Sequence, residues 1–76
     1  MKKTVHSKDS AKLCALLRIA RENAGLTQQQ LAEALQRPQS FVAKYELGER
    51  RLDVIEFLTI TKLLKANPTK IIKELS

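Results

Sequence analysis

The chain has 76 residues, enough for one small domain with its own hydrophobic core, and its 43% hydrophobic content argues against disorder. A net charge of +6 makes nucleic acid, or an anionic surface, the partner to consider first. A single cysteine, Cys14, and a single histidine, His6, exclude an intramolecular disulfide and a zinc finger. Since no apolar run has the length of a signal-peptide core or a membrane span, we expect a cytoplasmic protein.

Positive charge is concentrated near the N-terminus, where residues 1–25 carry six Lys or Arg and two acidic residues. We expect residues 1–7 to form a flexible basic arm and residues 8–76 to form the folded domain. The arm is either a solubilising tail or a segment that lies close to phosphate. A first amphipathic helix is predicted from about Lys8 to Ala24, with Gly25 ending it and with an apolar stripe formed by Leu13, Leu17, Ala20 and Ala24.

Two short helices separated by a tight turn follow. Thr27 and Gln30 have the spacing of a capping box, which predicts a second helix over residues 28–35. Pro38 fits the first turn of a third helix, predicted over about residues 39–46 and ended by Gly48. Neither helix is long enough to be stable alone, so each must pack on its neighbours. The apolar residues that predict this packing are Leu31, Ala32, Leu35, Val42 and Tyr45.

Two further helices complete the predicted domain. Asp53 and Glu56 repeat the capping-box spacing before a fourth helix over about residues 54–65. Asn67 and Pro68 start a fifth helix. We assign to the apolar face of the fourth helix Ile55, Leu58, Leu63 and Leu64, widened by Phe57 and Ile60, and to that of the fifth Ile71, Ile72 and Leu75. No stretch alternates convincingly with period two, so the prediction is an all-α, compact five-helix bundle.

The spacing of residues 26–50 resembles the lambda-repressor-like helix-turn-helix domains, also known as the Cro/repressor-type or XRE family. The resemblance covers residues 8 to about 72. The matching residues are Leu26, Thr27, Gln28, Leu31, Ala32, Leu35, Gln39, Ser40, Val42, Glu46, Gly48 and Arg50. It implies that the second and third helices form the helix-turn-helix and that the third lies in the DNA major groove.

The resemblance implies base contacts from the start and exposed face of the third helix. The amide of Gln39 suits bidentate contact with adenine, and Lys44 suits guanine or a phosphate. Ser40 can bond a base or a phosphate, and Ala43 can pack against a thymine methyl group.

Phosphate contacts are expected on both sides of the third helix. The resemblance implies that Gln28 touches phosphate and braces Gln39. Gln29 faces solvent by default but lies near enough to phosphate to contact it. We expect two of the three loop arginines, Arg37, Arg50 and Arg51, to contact phosphate. Alternatively, Arg50 or Arg51 pairs with Glu49 or Asp53. The resemblance also implies that Glu46 points inward and forms a structural ion pair with Arg21.

Two residues of the turn depart from the family pattern. Gln36 stands where the family usually has Gly, and because a non-Gly residue rarely adopts positive φ, an altered turn is predicted. Pro38 replaces the usual Ser or Thr cap, so the third helix starts without a side-chain cap.

Together these features predict a sequence-specific double-stranded DNA-binding transcriptional regulator. With no catalytic constellation, phosphate-cradling loop or metal-ligand set, we expect no enzyme activity, cofactor, metal or small-molecule ligand. A homodimer on a pseudo-palindromic operator is expected, with its interface at Ile71, Ile72 and Leu75. The alternative is an adaptor or antitoxin that uses the same fold to bind a protein, such as a toxin, through apolar residues of the last two helices. Membrane binding is disfavoured because no bulky aromatic face opposes the N-terminal lysines.

Overall fold

The computed structural model describes residues 8–75 and contains five helices and no strand in that range. The helices are α1 (Lys8–Asn23), α2 (Gln28–Leu35), α3 (Gln39–Glu46), α4 (Val54–Leu64) and α5 (Pro68–Leu75). The predicted all-α, five-helix class is confirmed. The predicted basic arm, residues 1–7, lies outside the described residues. No helix within residues 8–75 is long and apolar enough to cross a membrane.

Local side-chain caps start three of the helices as the sequence predicts. Thr27 Oγ1 accepts a hydrogen bond from the backbone N–H of Gln30 at 3.0 Å, and the Gln30 side chain accepts from the Thr27 N–H at 2.9 Å. Asp53 and Glu56 make the same reciprocal pair at the start of α4. Asn67 Oδ1 accepts from two N–H groups in the first turn of α5. These starts are therefore determined locally.

The helix ends depend on residues in the left-handed conformation, two of which are not glycine. Gly25 and Gly48 have φ of 76° and 81°, as a helix-terminating glycine allows. Gln36 has φ of 59° and ψ of 42°, and Lys65 has φ of 58°. At Gln36 the N–H of the next residue, Arg37, bonds to Ala32 O at 2.9 Å and closes α2. The predicted alteration of the turn is wrong, because Gln36 adopts the conformation for which Gly is suited.

The core lies between all five helices and combines aliphatic side chains with the aromatic rings of Phe41, Tyr45 and Phe57. Its most buried members are Leu17, Leu31, Ala32, Val42, Tyr45 and Ile60. On α4 the buried positions are Phe57, Ile60, Thr61 and Leu64. The predicted α4 face is therefore wrong in part: Ile55 is 70% exposed, and Leu58 and Leu63 are also exposed. Ala24, predicted in the α1 stripe, is exposed as well.

The fifth helix is divided between the core and the surface. Ile71 is only 8% exposed and packs in the core, whereas Ile72 is 53% exposed. Ile71 is therefore a core residue of the monomer, which corrects the prediction that it lies in a dimer interface. Ile72 and the partly buried Leu75 border a groove of about 160 Å³ that also includes Val54 and Phe57.

Candidate nucleic-acid interface

A chain of hydrogen bonds joins the N-termini of α2 and α3. Gln39 Nε2 donates to Gln28 Oε1 at 3.3 Å, and Gln28 Nε2 donates to Glu46 Oε1 at 3.0 Å. The two glutamines that the family resemblance singles out are thus in direct contact. Because the amide of Gln28 has a donor and an acceptor already engaged, the orientation of the Gln39 side chain is tied to that of Glu46.

The inner end of this chain is an ion pair between α1 and α3. Arg21 Nε lies 2.7 Å from Glu46 Oε2, and Arg21 Nη2 lies 3.1 Å from Glu46 Oε1. Arg21 Nη1 also donates to the carbonyl of Leu26 at 2.8 Å. The side chains are 12% and 4% exposed, and the hydrogen bonds to Glu46 raise the pKa of Arg21. The bidentate pair therefore gives the glutamine chain a rigid anchor.

The outer face of α3 carries polar side chains in solvent. Gln39, Ser40 and Lys44 are exposed, and Ala43 is half-buried. Ser40 and Lys44 lie four residues apart and so share one face of the helix. This face presents an amide, a hydroxyl and an ammonium group, a set able to donate to and accept from groups on base edges.

The loop arginines differ in their surroundings. Arg50 Nη1 and Nη2 each lie 3.0 Å from a different oxygen of Glu56, and Arg50 Nη1 also donates to the Arg51 carbonyl at 2.8 Å. Arg37 Nη2 donates to Glu56 Oε2 at 3.2 Å. The partner of Arg50 is thus Glu56 and not Glu49 or Asp53, the acids considered from the sequence. The third loop arginine, Arg51, is exposed to solvent.

Phe41 of α3 lies beside both paired arginines. The guanidinium carbons of Arg37 and Arg50 are 4.5 Å and 4.7 Å from the centroid of the Phe41 ring, within the range of cation–π contacts. Sequence reasoning missed this cluster and treated Glu56 only as a helix cap. The four-residue spacing from Arg37 to Phe41, across the start of α3, was the available signal.

The remaining predicted contact residue has a partner along its own helix. Gln29 Nε2 donates to Glu33 Oε2 at 3.1 Å, and both residues are exposed on α2. Within residues 8–75, no group of three His, Cys, Asp or Glu residues is placed to hold a metal ion. The candidate interface consists of the exposed face of α3, the start of α2 and the loops on either side of α3.

Comparison with known proteins agrees with the helix-turn-helix fold. Residues 12–71 match the family described as helix-turn-helix domain. A solved structure of an XRE-family like protein from Pseudomonas syringae pv. tomato str. DC3000 is similar to the chain, with 45% sequence identity and a TM-score of 0.85. The match covers 93% of this chain and 87% of that one. No curated protein matches the sequence.

Proposed function

The chain belongs to the XRE-type helix-turn-helix family, and we propose that it is a transcriptional regulator that binds double-stranded DNA sequence-specifically. Members of this family are typically non-enzymatic DNA-binding regulators. It acts in the cytoplasm with α3 in the major groove. The observation that carries this proposal is the hydrogen-bond chain from the Arg21–Glu46 ion pair through Gln28 to Gln39. Such a chain fixes the direction of a side chain at the helix N-terminus, where base contacts are made in this class of domain.

The contact residues divide into base-reading and phosphate-binding groups. We assign base contacts to Gln39, Ser40, Ala43 and Lys44, and phosphate contacts to Gln28, Gln29, Arg37, Arg50 and Arg51. Among the arginines, Arg50 contributes least to phosphate binding, because its bidentate pair with Glu56 already neutralises its charge. Arg37 gives Glu56 a single donor and keeps others available.

A homodimer on a pseudo-palindromic operator accounts for the specificity that a regulator requires, because one α3 reads only a few base pairs. The surface that supports this proposal is the exposed Ile72 with Leu75 beside the groove at Val54. Sedimentation of the free protein and of its complex with operator DNA measures the oligomeric state of the protein. A monomer in both, at tens of micromolar protein, would contradict the dimer.

The function is tested by selecting bound sites from a random duplex pool and comparing two variants on the selected site. Gln39→Ala removes a base contact and should cost about 1–3 kcal/mol on the selected site, with relaxed preference at one position. Arg51→Ala removes a phosphate contact and should weaken selected and random duplexes alike, while the salt slope falls by about 1. Failure of the pool to yield any preferred sequence would contradict the proposal.

A second candidate function is protein binding by an adaptor or antitoxin, possible partners being a toxin or another protein. It is favoured by the exposed apolar side chains Val54, Ile55 and Leu58 on α4, an arrangement often found at protein interfaces. Labelled duplex titrated at several salt concentrations separates the two functions. An absence of duplex binding at low salt would favour protein binding over DNA binding.

A further inference from the structure

The recognition helix α3 lacks the local anchor that the neighbouring helices have. Its N-cap is Pro38, which makes no side-chain hydrogen bond to the first turn, whereas α2 and α4 both start with a complete capping box. With only eight residues, α3 has little stability of its own. Its orientation must therefore be held by tertiary contacts on its flanks.

The Glu56 carboxylate provides one such set of contacts, because it joins three separate segments. Its Oε1 accepts from the Asp53 N–H and from Arg50 Nη1, each at 3.0 Å. Its Oε2 accepts from Arg50 Nη2 at 3.0 Å and Arg37 Nη2 at 3.2 Å. The start of α4, the α3–α4 loop and the α2–α3 turn therefore share one carboxylate, whose side chain is only 15% exposed.

The two arginines connect this carboxylate to α3 itself. Both guanidinium groups lie within 4.7 Å of the centroid of the Phe41 ring, two residues beyond Gln39. Phe41 is itself buried, so a rotation of α3 that re-aims Gln39 would separate its ring from both cations. An isolated exposed ion pair contributes little, but a network of this kind restricts geometry.

We infer that Glu56 is a positioning residue for DNA recognition, since it holds Arg37 and Arg50 against Phe41 and thereby aims the uncapped α3. This inference rests on the proposed function. Simple electrostatics predicts that removing a negative charge from a DNA-binding protein strengthens its binding to every duplex. The positioning role predicts a different result for the preferred duplex. Loss of a positioning carboxylate instead weakens binding to the preferred duplex relative to other duplexes.

The experiment compares Glu56→Gln with Glu49→Gln, which removes the same charge from an exposed side chain of the adjoining loop. The probes are a duplex enriched by the wild-type protein from a random pool and a scrambled duplex of the same base composition. We expect both variants to bind the scrambled duplex as tightly as wild type or more tightly. The ratio of the two affinities should stay unchanged in Glu49→Gln and fall about tenfold in Glu56→Gln, the discrimination of roughly one base contact.

A purely stabilising role of Glu56 gives a different result. Partial unfolding lowers both affinities by the same factor and leaves their ratio unchanged, an outcome that would overturn the inference. Glu56→Asp provides a second test in which the charge is kept, because its shorter side chain cannot reach Asp53 and both arginines together. Its affinity ratio should also fall, with scrambled-duplex binding as in wild type, and a wild-type ratio in this variant would equally refute the positioning role.

The proposed function and this inference fail in distinguishable ways. If the wild-type protein enriches no duplex, sequence-specific recognition is refuted and the positioning role falls with it. If the wild-type protein enriches a duplex and the Glu56 variants keep its preference, only the positioning role is wrong.

Discussion

Replacing Arg21 with Met tests the ion pair that anchors the glutamine chain. The substitution replaces the aliphatic stem of Arg21 with an apolar side chain and removes two of the three hydrogen bonds that the Glu46 carboxylate accepts. Glu46 is only 4% exposed, so water can replace little of what is lost. A buried charge left with one amide donor is the costly case for a broken ion pair.

The expected loss is close to the lower end of the range for buried pairs. Removing one partner of a fully buried pair costs ~3–5 kcal/mol, and because Arg21 keeps some contact with solvent we expect about 3 kcal/mol. A domain of this size typically has a free energy of unfolding of roughly 4–11 kcal/mol. The melting temperature should fall by about 12–24 °C.

Arg18→Met is the matched control on the same helix. Arg18 lies 3.7 Å from Glu22, with the two side chains 52% and 54% exposed, so its loss should cost ~0.5 kcal/mol or less. Urea unfolding followed by far-UV circular dichroism measures both variants. The reasoning is refuted if Arg21→Met is no more destabilising than Arg18→Met.

The double variant Arg21→Met/Glu46→Met separates stability from recognition. With both charges removed, most of the lost stability should return, to within about 1 kcal/mol of wild type. Binding to the enriched duplex should stay reduced, because Gln28 has lost the carboxylate that orients it. A double variant no more stable than Arg21→Met alone would show that an uncompensated charge is not the cause of the loss.

Three further outcomes are expected. Lys65→Gly should stabilise the protein by about 0.5–1 kcal/mol, because glycine adopts the left-handed conformation of residue 65 without strain. Lys62→Gly, within α4, should instead destabilise the protein by ~1 kcal/mol. Urea unfolding measures both variants, and an equal loss of stability in the two would contradict the strain at Lys65. Hydrogen bonds from Arg50 and from the Asp53 N–H lower the pKa of Glu56 from 4.5 to about 2, so its contribution is complete above pH 4.5 and is lost as pH falls toward 2. The difference in free energy of unfolding between wild type and Glu56→Gln should therefore shrink as the pH falls from 4.5 toward 2. A difference that stays constant over this range would contradict the lowered pKa of Glu56. Burial raises the pKa of Cys14, so iodoacetamide should alkylate it more slowly at pH 7 than it alkylates the unfolded chain in urea, and equal rates would refute this.

The sequence by itself determined the helix starts and the fold class. Caps at Thr27, Asp53 and Asn67 act on backbone groups two or three residues away, so their effect is readable without the rest of the molecule. The spaced matches from Leu26 to Arg50 likewise identified the family, because the helix-turn-helix is built from residues close together in the chain.

The tertiary structure decided which faces are buried and which charges pair. Helix α4 has apolar side chains around much of its circumference, so local spacing could not distinguish the buried Phe57 from the exposed Ile55, and packing made that choice. The left-handed conformation of Gln36 runs against its intrinsic preference and is held by the closure of α2. Glu56 meets Arg37 across 19 positions of sequence, a contact that only the folded arrangement of α2, α3 and α4 creates.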